Sequence, residues 1–233
     1  MLSRTRAIVL KTTKYSDTSV ILKLYTELHG LRSYIVSGVH GKKSKAALLL
    51  PLSLLDVVAN HTEKAKLIRP KELSLAHPLQ SVHSDIQKSS LLLFLNEVIY
   101  KSIKEEEANE QLFSFLFDSI LWLEHSPESI ANFHLKFLLT FSQHLGFYPH
   151  ESYSENSPWF NLQEGVFSNQ KTNYSLDENL SKLLFESLSG NYSNITNKEI
   201  RKSLLDKILL FYELQVHGFG KIKSLDVLHE INL

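Results

Sequence analysis

The chain has 233 residues, 25 Lys+Arg against 25 Asp+Glu, a pI near 7.2 and no cysteine. It is long enough for one large domain or two ordinary ones, and its 43% hydrophobic and 21% charged residues fit a globular chain rather than a disordered one. The missing cysteines exclude disulfides, thiolate metal sites, Fe–S clusters and a cysteine nucleophile.

No apolar run approaches the roughly 18–20 residues of a membrane helix, and the longest, Ala46–Leu55, is cut by Pro51 and Ser53. Arg4 and Arg6 are followed by only Ala7–Leu10 before Lys11, too little for a signal-peptide core, so the expectation is a cytoplasmic protein without membrane contact.

The neutral total hides a split near residue 80. Residues 1–80 carry 13 Lys+Arg and 5 Asp+Glu, leaving 12 and 20 in the remainder. A basic front joined to an acidic rear suggests a polyanion-binding module coupled to a protein-binding one. The alternative is that the two halves merely attract each other.

The front half reads as five strands: Arg6–Lys14, Thr18–Thr26, Leu31–Ser37, Leu52–Asn60 and Ala65–Leu73, short segments rich in Val, Ile, Leu, Thr and Tyr. That spacing fits a small antiparallel sheet or barrel. Thr26–Gly30 is a hairpin connection in which Gly30 is free to take positive φ. Gly38–Lys45 is the most basic loop in the chain.

After Pro78 the period becomes helical. Caps at Ser84 and Asp85 precede Leu91, Leu92, Leu95, Val98, Ile99 and Ile103, and a second helix spans Glu110–Glu124. Ser126-Pro127-Glu128 reads as an N-cap with Pro at the first helical position, opening a helix that Gly146 stops. Residues 148–176 form an irregular insertion around Trp159–Phe167, and Thr196–Glu199 caps a final helix through Tyr212. The expected fold class is α+β, a five-stranded antiparallel barrel over 1–80 followed by a helical domain over 81–233.

No catalytic constellation emerges. The eleven histidines form no H-E-x-x-H or comparable metal-ligand spacing. Gly41-Lys42-Lys43-Ser44 lacks the earlier Gly of a phosphate-binding loop, because position 36 is Val36. Glu105-Glu106-Glu107 reads as solvated surface. The expectation is a non-enzymatic protein with no metal and no cofactor.

Strand alternation places Lys23 and Tyr25 on one face of the second strand, and Arg32 and Tyr34 on one face of the third. If these strands form a hairpin, both pairs can lie on the same side, with tyrosines stacking on unpaired bases and cations tracking phosphates. In a five-stranded OB barrel the strand 2–3 face is the usual oligonucleotide site. Periodicity equally allows both tyrosines to pack against the helical half.

Arg6-Ala-Ile-Val-Leu-Lys, Tyr15-Ser-Asp-Thr-Ser-Val-Ile-Leu, Tyr25–Gly30, Ser37-Gly-Val-His and Leu50-Pro-Leu-Ser-Leu-Leu follow one another in an order that resembles the N-terminus of the bacterial RecO family. Phe133-His-Leu-Lys-Phe-Leu-Leu, Leu145-Gly-Phe-Tyr-Pro149 and the last 35 residues are similar to that family's helical domain. The resemblance implies an N-terminal OB fold. It also implies a recombination mediator in repair of DNA damage, which binds single- and double-stranded DNA and anneals complementary strands. Its implied partners are RecR and single-strand-binding protein, with which it loads recombinase, and its implied place is the nucleoid.

Two departures change what is carried over. Many members have a four-cysteine zinc finger after the Leu-Gly-Tyr/Phe-Pro segment, whereas this chain has Trp159–Phe167 there and is expected to rely on apolar packing around a Glu164-Gly165 turn. Basic residues often flank the position of Gly38-Val39, but here the neighbours are Ser37 and His40 and the charge comes later. The candidate DNA-binding residues are Lys42, Lys43, Lys45, Arg32 and Lys23 for phosphate, with Tyr34 and Tyr25 for stacking. Lys136, Arg201 and Lys202 are the candidate contacts for the acidic tail of single-strand-binding protein. The alternative function is a structural adaptor whose barrel binds protein.

Overall fold

Alternating apolar residues build a five-stranded antiparallel sheet from β1 (Leu2–Lys14), β2 (Ser19–Thr26), β3 (Gly30–Ser37), β4 (Leu54–Asn60) and β5 (Pro70–His77), in the order β3-β2-β1-β4-β5. This computed structural model describes residues 1–38, 46–62, 65–104, 106–127, 129–150 and 152–231. The sheet closes on itself through a parallel bridge between Tyr34 and Ile68, where the Ile35 N–H donates to the Ile68 carbonyl at 2.8 Å and the Ile68 N–H to the Ser33 carbonyl at 2.9 Å. This bridge closes the sheet only in part, as in an OB-type barrel. Its interior holds Ala7, Val9, Leu22, Leu24, Tyr34, Val36, Leu55, Val57, Ala59 and Ile68, all buried.

The fifth strand begins at Pro70 rather than at the expected Ala65. Proline donates no backbone hydrogen bond and so fits a strand's first position, while the preceding Ile68 is committed to the closing bridge.

Three helices follow: α1 (Ser81–Ser84), α2 (Ile86–Ser102) and α3 (Glu110–His125). The Asp85 carboxylate accepts from the Lys88 N–H and the Asn109 side chain from the Leu112 N–H, both at 2.9 Å, so each long helix has an N-cap. These helices pack on the barrel through Tyr25 against Phe113 and His77 against Phe117. Strand gives way to helix between His77 and Ser81, but the chain divides into compact units at Met1–Ser126 and Pro127–Leu233. The first unit holds 16 Lys+Arg and 13 Asp+Glu, the second 9 and 12. Much of the charge contrast therefore lies inside the first unit, between barrel and helices.

The second unit contains α4 (Phe133–His144), the hairpin β6 (Trp159–Asn161) and β7 (Val166–Ser168), α5 (Glu178–Leu188), α6 (Lys198–Gln215) and α7 (Leu225–Glu230). Ser126 does not open a helix as expected. Its N–H closes α3 by donating to the Trp122 carbonyl, and α4 starts only at Phe133. The hairpin core is aromatic: Phe160 lies 5.0 Å from Phe167 and 5.7 Å from Phe211, and Phe167 lies 5.8 Å from Phe185, between ring centroids. Gly165 takes φ 71° at the expected turn, beside the Phe211 ring. Tyr212, fully buried, donates to the Leu138 carbonyl at 2.6 Å and joins α6 to α4.

Candidate nucleic-acid interface

The outer face of the barrel is divided. Ile8, Tyr25, Leu31 and Leu54 point outward yet are buried, because α2 and α3 cover that part of the sheet. Arg6 lies over the rings of Phe113 and Phe117, at 5.5 and 4.7 Å from their centroids, and is paired with Glu27. Beyond this covered region the same face continues as two cross-strand rows. Lys11, Lys23 and Ser33 form one, and Thr13, Ile21 and Ile35 the other. Since Ile68 points inward with its partner Tyr34, the flanking Leu67 and Arg69 fall on the outer side and extend these rows across the closure.

A β-bulge fixes the direction of Lys11. Val9 pairs with Leu24 and Lys11 with Lys23, so Leu10 is an extra residue that turns Lys11 outward and sets it opposite another lysine. On the other side of β1, the Leu52 N–H donates to the Val9 carbonyl at 2.8 Å from a left-handed backbone, φ 56°, that a leucine rarely adopts. Tyr100 of α2 meets both lysines. The Lys11 and Lys23 ammonium groups lie 5.0 and 5.8 Å from its ring centroid, and Lys11 Nζ donates to its hydroxyl at 3.4 Å.

At the other end, Ile35, Ser37, Arg69, Lys71 and Leu73 line a groove of about 180 Å³ between β3 and the start of β5. Lys66, Arg69 and Lys71 are exposed, and among the described residues none of them, nor Lys11 or Lys23, forms an ion pair. Cations on a half-apolar sheet surface suit a phosphate backbone, with Ile21, Ile35 and Leu67 offering apolar contact to sugars and bases. Lys11, Lys66, Arg69, Lys71 and Tyr100 were not singled out from the sequence. Only the bulge, the barrel closure and the packing of α2 on the sheet bring them together, and none of these has a local signature.

The expected base-plus-tyrosine face does not form. The register pairs Lys23 with Ser33 and Arg32 with Leu24, so Lys23 points outward and Arg32 toward the barrel interior. Tyr25 and Tyr34 lie on opposite faces, and both are fully buried. Tyr25 packs against Phe113, while the Tyr34 hydroxyl meets His61 Nε2 at 2.7 Å and burial pushes that phenol far above its ordinary pKa. In this arrangement neither ring presents a face to a base. Arg32 is paired with Glu106 at 3.4 Å. Lys42, Lys43 and Lys45 lie outside the described residues.

In the second unit, Lys136 on α4 and Lys202 on α6 are exposed. Arg201 Nε donates to Asn132 Oδ1 at 2.9 Å, which ties the first turn of α6 to the N-cap residue of α4. Arg201 is half-buried, which lowers its pKa from the usual value. Among the described residues no group of three or more His, Asp or Glu is placed to hold a metal ion. No described helix is long and apolar enough to cross a membrane.

Comparison with known proteins covers both units. Residues 1–79 match the family described as Recombination protein O N terminal, and residues 83–226 match Recombination protein O C terminal. The chain is 39% identical over 234 residues to the DNA repair protein RecO of Flavobacterium johnsoniae and 40% identical over 235 residues to that of Flavobacterium psychrophilum, covering 98% of each chain in both cases. The DNA repair protein RecO of Bacteroides fragilis is 36% identical over 241 residues, with 99% of both chains covered.

Proposed function

Since the chain belongs to the RecO family of DNA repair proteins, we propose that it is a non-enzymatic recombination mediator that binds DNA through its barrel and anneals complementary single strands. It would help load recombinase onto strands covered by single-strand-binding protein, working with RecR in the cytoplasm at the nucleoid. The observation that carries this reading is a set of cations that form no ion pair among the described residues: Lys11, Lys23 and Arg69 on the open part of the barrel's outer face, and Lys71 in the groove between β3 and β5. A strand lying there exchanges condensed counterions for Lys11, Lys23, Arg69 and Lys71, a source of affinity that ignores sequence. Annealing needs no group transfer, only a surface that gathers two polyanions and leaves their base edges free.

Lys42, Lys43 and Lys45 follow β3 in the chain, and three cations within four residues add phosphate contacts without occupying a periodic core position. For the acidic, aromatic-ended tail of single-strand-binding protein, the exposed Lys136 and Lys202 are the proposed contacts in the second unit. The guanidinium of Arg201 is already shared with Asn132.

The test is annealing of two labelled complementary oligonucleotides by the whole chain, naked and precoated with single-strand-binding protein. The expected result is acceleration in both cases without nucleotide or metal. A K42E/K43E/K45E variant should bind at least about tenfold more weakly, roughly 1.4 kcal/mol, with its melting temperature within a few degrees of the parent's. No acceleration on either substrate would overturn the reading.

A further inference from the structure

We propose that Lys11, Lys23 and Tyr100 together bind one internucleotide phosphate, which makes helix α2 part of the DNA interface. This rests on the DNA-binding reading above and adds a site that the barrel strands alone do not form.

The two lysines are cross-strand partners, with side chains on the same face. Like charges placed directly opposite one another destabilise a sheet. Among the described residues no carboxylate pairs with either. The surrounding backbone is arranged to keep them there. The bulge at Leu10 turns Lys11 out of the interior, and Leu52, in the left-handed region at φ 56°, bonds to the residue just before that bulge. Strain of this kind persists where the neighbouring structure imposes it, and it concentrates at binding sites. An anion between the two ammonium groups would relieve their repulsion.

The third group selects the anion. Tyr100 accepts a hydrogen bond from Lys11 Nζ, which leaves its own O–H proton to donate. Two ammonium groups and a phenol, converging without a planar guanidinium fork, suit a tetrahedral oxyanion better than a flat carboxylate. This row continues through Ser33 to Leu67, and Arg69 ends the neighbouring row of Thr13, Ile21 and Ile35, so a further phosphate of the same strand finds a cation beside it. A phosphodiester strand fits such a series.

The experiment measures binding of a fluorescein-labelled 20-mer of thymidylate to the whole chain across a salt series, using Lys11→Met, Lys23→Met and Tyr100→Phe. Lys182→Met, an exposed position on α5, is the control for lost charge. The expected result is about three- to tenfold weaker binding for each lysine variant, with a log–log salt slope shallower by about 0.7, the value for one single-strand phosphate. Tyr100→Phe should weaken binding about two- to threefold with the parent's slope. The lysine variants should melt at or above the parent's temperature, because repulsion is removed. A parent that binds DNA, with all three variants indistinguishable from Lys182→Met, overturns this site alone. A parent that binds no DNA overturns the functional reading and this site with it.

Discussion

The Tyr34 hydroxyl lies 2.7 Å from Nε2 of His61, whose Nδ1 lies 2.7 Å from Ser3 Oγ. His29 completes the cluster, with Nε2 3.0 Å from the same Ser3 oxygen and its ring stacked 3.9 Å from that of His61. One chain of hydrogen bonds thus joins β1, the β2–β3 turn, β3 and the end of β4. It also explains why Tyr34 is committed to the barrel rather than to a ligand.

This cluster makes the barrel acid-sensitive. Burial, the neighbouring His29 and Arg32 push the His61 pKa down to about 4, and burial with Arg32 lowers that of His29. The fold thus favours the neutral form of both rings, whereas in the unfolded chain they take up protons near pH 6.5. The contribution of His61 is therefore complete above about pH 6.5 and lost as pH falls toward 4, and the lowered pKa of His29 acts in the same direction. Thermal melts at pH 7.5 and 5 should show the parent losing stability, and His61→Gln losing less across the same interval. Equal losses would contradict the cluster's role.

Gly30 and Gly38 offer a paired test of how the barrel meets the segment before α3. Both have positive φ, 62° and 72°. A Cβ at Gly30 would collide with the backbone carbonyls of Glu106 and Glu107, but one at Gly38 would meet nothing within 4 Å. Gly38→Ala should cost only the left-handed penalty, about 1 kcal/mol. Gly30→Ala should cost at least about 2 kcal/mol more, as backbone must move against backbone. Urea unfolding of the two variants gives the difference directly.

The hairpin of the second unit should need no metal. Phe167 contacts Phe160, Phe185 and Tyr153, so apolar packing holds β6 and β7 together. A chelator should leave the melting curve unchanged, while Phe167→Ala should destabilise the unit by about 3–5 kcal/mol. A chelator-induced loss of structure would show that a metal contributes after all.

The barrel was legible because its strands are short runs rich in Val, Ile, Leu, Thr and Tyr whose turns carry Gly or polar residues, Gly30 above all. What escaped was non-local. The Val9–Lys11 register shift cannot be read from β1, because the extra residue shows only against its partner strand. It decides that Lys11 joins Lys23, while the β2–β3 register sends Arg32 inward and separates Tyr25 from Tyr34. Helix α5 was missed for a different reason. Its apolar stripe of Leu180, Leu183, Leu184 and Leu188 is regular and Asp177 caps it, but the helix has only 11 residues and follows directly on the irregular insertion, and Ser181 and Ser187 also take buried positions. Ser181 is buried because its hydroxyl accepts from the Phe160 N–H at 2.9 Å, a contact between segments that no helical period reveals.

If the open outer face of the barrel grips the DNA backbone, as proposed, the salt dependence of single-strand binding by the whole chain reports it directly. With about four to six phosphates engaged, log affinity against log salt should fall with a slope of roughly −3 to −4, with little difference between oligonucleotides of unrelated sequence. Joint replacement of Lys11, Lys23, Arg69 and Lys71 by neutral residues should make that slope distinctly shallower. Affinity that stays constant between low and moderate salt, or a slope untouched by the four replacements, would contradict the proposal.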